Sequence, residues 1–170
     1  MLFAIVALSL FSGCVFSKQA VFTSSDDVVV PDFSGTYAPL EKSGEMVVVR
    51  KAKNVFEVLL DKNTEPEQVV VVPLDVAGMY LLQYSKEDDY AFLALRMSGD
   101  RVDVLTFAAL IEESGEANDR LEALFGKHDL KIDNSMLLLE QPSADAMIAF
   151  FSECADDPRM LTEIESWIKR

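Results

Sequence analysis

One histidine and two cysteines in 170 residues leave little material for the commonest catalytic and metal-binding chemistries. A lone His cannot make a metal site. The neighbours of His128, Lys127 and Asp129, project in other directions, and no Ser or Cys near it lies in a nucleophile motif such as G-x-S-x-G. His128 therefore reads as a residue of a surface turn. Positive charge is also scarce: 15 Lys and Arg stand against 29 Asp and Glu, a formal net charge of −14. Such a surface repels phosphates and anionic lipid heads, which argues against nucleic acid as a ligand and against an electrostatic membrane-binding face. The chain also lacks an apolar run of the roughly 20 residues a helix needs to cross a bilayer. No repeat or low-complexity tract is present.

The longest uncharged stretch is Met1 to Gly13, MLFAIVALSLFSG, and it has the length of the apolar region of a secretory signal peptide. Small residues, Ser12 and Gly13, precede Cys14, and the chain turns polar directly afterwards. Leu10-Phe11-Ser12-Gly13-Cys14 resembles the lipobox of bacterial lipoproteins. The resemblance implies removal of residues 1–13, a diacylglycerol on the Cys14 thiol, and an acylated new amino terminus. The membrane is then a partner through the acyl chains on Cys14, which hold firmly when there are two or more of them. Val15 stands where Asp would favour retention in the inner membrane, so the resemblance implies delivery to the periplasmic face of the outer membrane. With Cys14 acylated, Cys154 has no partner for an intramolecular disulfide. Residues 14–31, rich in Ser, Thr and Asp, are expected to be a lipid-anchored linker, and residues 32–170 one globular domain.

From Asp32 to Phe107, runs of Val, Leu, Tyr and Phe broken by turn residues predict successive antiparallel strands over 33–38, 45–51, 54–60, 67–74, 78–85, 90–97 and 101–107. The runs at 69–72 (VVVV) and 91–95 (AFLAL) are apolar on both faces, so something must cover the second side of the sheet. The C-terminal third supplies candidates. Asn118 can cap a helix carrying Leu121, Leu124 and Phe125 and stopped by Gly126. Residues 135–140 resemble a strand. Ser143 can cap a helix whose Met147, Phe150, Phe151 and Cys154 share one face, and Asp157-Pro158 predicts a second helix carrying Leu161, Ile164 and Ile168. The expected fold is α+β: a curved antiparallel sheet of about seven strands, a partial barrel, with C-terminal helices packed on one face.

No catalytic, cofactor-binding or metal-binding residue follows from these patterns, and Cys14 is the one site residue assigned. Cys154 falls on an apolar stripe and reads as a packed thiol. Asp61, Asn63 and Glu65 alternate as in a calcium loop, but Pro66 stands where the loop needs Gly and Val72 where it needs Glu. The adjacent carboxylate pairs Asp26-Asp27, Asp88-Asp89, Glu112-Glu113 and Asp156-Asp157 diverge and read as solvated charges. Gly35-Thr36-Tyr37 resembles the opening strand of lipocalin-like barrels, in which the aromatic plugs the closed end. A lipocalin needs eight meander strands, whereas here helices are expected after Phe107. The order of elements, lipobox, linker, hairpins and C-terminal helices, resembles that of small β-rich bacterial lipoproteins. The expected role is a non-enzymatic binding or accessory module of the envelope with a protein partner. Met46, Met79, Tyr80, Tyr84 and Tyr90 are its candidate contact residues. The alternatives are a carrier of an apolar small ligand with a lipocalin-like cavity, and a hydrolase.

Overall fold

The computed structural model describes residues 15–24, 28, 30–41, 43–60, 65–86, 88–108, 115–133 and 137–170. Cys14 and the acidic positions 26, 27, 61, 112 and 113 lie outside this set, as does Asn63. The β-branched and aromatic runs form strands β1 (Val15–Ser17), β2 (Gly35–Pro39), β3 (Met46–Arg50), β4 (Val55–Leu60), β5 (Glu67–Pro73), β6 (Met79–Lys86), β7 (Asp89–Ser98) and β8 (Arg101–Phe107). Helix α1 (Gly115–Lys127), short strands β9 (Ile132–Asp133) and β10 (Leu138–Leu139), helix α2 (Ala144–Asp156) and strand β11 (Leu161–Lys169) follow.

Strands β2 to β8 form an antiparallel meander, β11 pairs with both β8 and β2, and β6 pairs with β7. Eight strands therefore close on themselves, and the sheet is a complete barrel where the sequence predicts a partial one. The difference lies in β11. The spacing of Leu161, Ile164 and Ile168 predicts a helix, but the pairing with β8 makes them strand and shifts register between Glu163 and Glu165. The extra residue, Ile164, is a β-bulge, and one inserted residue turns a period of two into an apparent period of three to four. Around it Thr162, Glu165 and Trp167 lie opposite Thr106, Val104 and Val102. Asp157 does not cap a helix. Its carboxylate accepts from the Arg159 backbone at 3.0 Å and from its guanidinium at 2.8 and 2.9 Å, a local turn that feeds β11. Those bonds hold the Asp157 carboxyl at about 2.

The covering layer is as the doubly apolar runs require. Val69 and Val71 face the barrel interior, while Val72, Leu81, Phe92, Ala94, Leu105 and Phe107 face outward into a second core with Leu121, Phe125, Met147, Phe150, Phe151 and Cys154 of the helices. Ser143 caps α2, its hydroxyl accepting from the Ala146 backbone at 3.1 Å. Helix α1 starts before Asn118 and continues past Gly126. It ends where Asp129 takes φ 57 and the Leu130 N–H bonds the Phe125 carbonyl at 2.9 Å.

The segment assigned to the linker packs on the barrel. Val15, fully buried, opens β1, which pairs antiparallel with β7 and parallel with β10. Further on, the Gln83 side chain accepts from the Val21 and Phe22 N–H groups at 2.8 and 2.9 Å and donates to the Phe22 carbonyl at 2.9 Å. Val30 and Phe33 are buried in the barrel interior. The packed unit thus reaches back to Val15, well before Asp32.

Candidate functional site

Antiparallel pairing gives the barrel two ends with opposite character. At one end stand the starts of β2 and β8 and the chain at Lys169. Phe33 packs edge-on against Phe56 and Tyr80 at 5.1 and 5.3 Å, and Tyr37 donates its hydroxyl to the Phe33 carbonyl at 2.8 Å. Burial first, then the Asp32 and Asp100 carboxylates, push the Tyr37 phenol up, so it stays a donor. Arg50 lies 4.8 Å over the Phe56 ring and donates to the Val30 and Pro31 carbonyls at 3.1 and 2.6 Å, fixing the plug. Gly35 has φ 154, and a Cβ there would stand 2.5 Å from Cε of Lys169, whose stem crosses this end. The aromatic plug seals one end.

The other end is not sealed in this way. In a closed barrel an inward side chain meets water only through an end. Met46, Val58, Leu82, Tyr84 and Val104 belong to the interior cluster yet are only half-buried. Leu60, opposite Met46 on the rim, is 38% exposed, and Leu40 in the following turn is 53% exposed. The inward register at this end also carries carboxylates, with Glu67 opposite Val58 and Glu165 opposite Val104. Beside the bulge a notch of about 130 Å³ is lined by Pro39, Leu40, Glu41, Glu163, Ile164, Glu165 and Ser166. A wider depression of about 690 Å³ lies outside the barrel, where Lys18 and Gln19 part from Glu140 and Gln141 beyond the parallel pair β1 and β10.

Of the five proposed contact residues, Met46 and Tyr84 stand at this open end. Tyr80 supports the plug, Tyr90 packs against the outer core, and Met79 is buried under the helices. His128 is more than a turn residue. Its Nε2 lies 2.9 Å from the Glu153 carboxylate, which also takes Lys127 Nζ at 2.7 Å, and its ring meets Phe150 edge-on. The pair ties α1 to α2, and the Lys127 bond followed by the His128 bond holds the Glu153 carboxyl low. The thiol of Cys154, the next residue, is wholly buried and pushed up to about 12 by burial, so it is no nucleophile at neutral pH. Among the described residues no group of three or more His, Cys, Asp and Glu is placed to hold a metal ion, and no helix is long and apolar enough to cross a membrane.

One polar cluster escaped sequence reasoning. On the outer wall Asp103, 3% exposed at its side chain, accepts from Arg96 at 2.8 and 3.0 Å, from Arg101, and from the Ser166 hydroxyl at 2.6 Å. Glu163 bridges both arginines at 2.9 to 3.2 Å. Burial alone would push the Asp103 carboxyl up, but the Ser166, Arg101 and Arg96 bonds together hold it below the usual range. The signal was the register of Arg96, Asp103 and Ser166 across three strands, which needs β11 to be known as a strand. No family model matches the sequence, and neither a curated protein nor a solved structure matches the chain.

Proposed function

We propose that this chain is a lipid-anchored, non-catalytic binding module of the bacterial envelope, and that it binds through the open end of its barrel. The observation that carries the reading is a set of inward apolar side chains that stay partly wet. Met46, Val58, Tyr84 and Val104 face into the barrel yet keep solvent contact, and Leu60, opposite Met46, is 38% exposed. Apolar inward side chains left wet lower the free energy when an apolar group covers them. The anchor reading rests on the lipobox at Cys14. Val15 is already part of the sheet, so the domain follows the anchor with no slack between them. On this reading the module sits against the periplasmic face of the outer membrane, within reach of lipid and of an envelope protein partner.

Two experiments test this. The neutral fluorophore N-phenyl-1-naphthylamine should brighten on the folded protein, and Leu82→Glu, which puts a charge among the half-buried side chains, should abolish the effect. Equal brightening by the variant would remove the open end as the site. Labelled palmitate should mark the wild type and not Cys14→Ala. An unlabelled wild type would end the lipoprotein reading.

A further inference from the structure

Outside the barrel and apart from its open end, we propose that the depression at the ends of β1 and β10 binds a small zwitterion, a molecule carrying an anionic group and an ammonium on a short linker. The site comes from topology. β1 and β10 are the one parallel pair among the described strands, in register from Phe16 opposite Leu138 to Ser17 opposite Leu139. Parallel neighbours end on the same edge of a sheet, so the chains leaving them part there and open a crevice, the place where ligands settle in open α/β sheets. Buried Ser17 and Leu139 line it from below. Its volume of about 690 Å³ falls within the range of roughly 300–1,000 Å³ that small-molecule sites occupy. The backbone is unusual at the same place. Of the three described non-glycine residues at positive φ, Asp129 at 57 ends α1 beside the depression, while Leu137 at 49 and Gln141 at 47 bracket the two residues of β10. No helix end accounts for the last two, and such conformations persist where the surroundings fix them and gather at ligand sites.

The charges around the depression set the class of ligand. The Glu140 N–H donates to the Lys131 carbonyl at 2.9 Å, which carries the β9–β10 pairing one step further and sets these two residues opposite each other. Directly opposed residues of antiparallel strands stand about 4.5–5.5 Å apart at Cα. Even so, among the described residues the Lys131 ammonium and the Glu140 carboxylate pair neither with each other nor with any other group, and the Asp129 carboxylate is likewise uncommitted. Lys18 stands across from Glu140, pinned by Asp89 at 2.7 Å with two ammonium donors left over. Two cations beside two carboxylates make the depression locally neutral on a protein of net charge −14. A lone anion or a lone cation leaves half of these groups unmatched, whereas a zwitterion meets both halves.

Titration of the full domain, followed through backbone amide NMR shifts, tests this. The zwitterions are sn-glycero-3-phosphoethanolamine and glycylglycine; inorganic phosphate, ethanolamine and glucose are the partial and neutral probes. The better zwitterion should shift the amides of Lys18, Gln19, Glu140 and Gln141 and bind at least tenfold more tightly than phosphate or ethanolamine. Lys131→Gln should bring it to within about threefold of ethanolamine. Glu140→Gln with Asp129→Asn, a residue that tolerates the left-handed turn, should bring it to within about threefold of phosphate. Preference for the phosphate-bearing compound makes the anionic group a phosphate, and preference for glycylglycine makes it a carboxylate; both support the site. Zwitterions that bind no better than their halves, or glucose that shifts the same amides as strongly, overturn the zwitterion. Shifts confined to other residues, or binding that none of these substitutions alters, overturn the site. The neutral fluorophore reads the open end and is untouched by these variants, so the two readings fail separately.

Discussion

Outside the barrel wall, Leu81, Phe92, Met147, Phe150 and Cys154 have essentially no exposed surface, whereas on the inner face burial is uneven, with Tyr37 at 2% and Leu60, beyond its neighbour Met46, at 38%. The same strands line both regions, with Val69 and Val71 pointing in and Val72 pointing out. The outer core is closed by two helices and the N-terminal segment, and the inner one is closed at a single end. Packing that holds the fold is thus separated by one strand layer from packing that is unfinished. A change on one side of the wall should cost stability, and a change on the other should cost binding.

The strongest test of that division is Phe150→Ala, since Phe150 touches Phe107, Phe125 and Phe151 in the outer core. It should lower stability by about 3–5 kcal/mol, read as a fall in the urea midpoint. Cys154 reports the same region: with its pKa near 12 and no exposure, it should resist thiol reagents at pH 8 in the native wild type and become reactive in the variant.

Asp103→Asn probes the outer wall where an ion network stands instead of helices, and should cost about 1–3 kcal/mol near neutral pH. The native carboxyl of Asp103 lies below its unfolded value. Its contribution is therefore complete above the unfolded carboxyl pKa of about 3.9 and disappears as pH falls through the lower native value. Urea midpoints of wild type and variant should differ by a constant amount above about pH 5 and converge in more acid solution. At the sealed end, Gly35→Ala should cost about 1–2 kcal/mol in thermal or urea unfolding. Lys169→Ala in that background should recover the part due to crowding and leave the part due to φ 154. Smallest in stability is Leu60→Ala at the open end, below about 1 kcal/mol because the side chain is already 38% exposed. It should nonetheless weaken binding of the neutral fluorophore, which Phe150→Ala should not do to the molecules that remain folded.

Strands β2 to β8 were legible because each carries its β-branched or aromatic run between turn residues, and α2 because Ser143 and its apolar stripe agree. Strand β11 was hidden by the bulge at Ile164, and with it barrel closure. Strand β1 is three residues long, and its partners near Phe92 and Leu138 are far along the chain, so no local pattern marks it. The open end was illegible for a further reason. Val58 and Leu82 look like any core residue until register shows that they face inward and closure shows which end they approach.

The pairing of Pro39 with Trp167 spans nearly the whole domain. A chain made from its amino terminus can zip the meander hairpin by hairpin, yet β2 and β8 keep bare edges until β11 arrives. Until that seam closes, the nascent sheet offers two templates for unwanted strand addition and an uncovered apolar bore. Seam closure across so long a loop is a slow kind of step. A chain paused short of Leu161 would be a sticky half-pipe, and residues 161–169 supplied as a free peptide would compete for the gap that the protein's own last strand must fill.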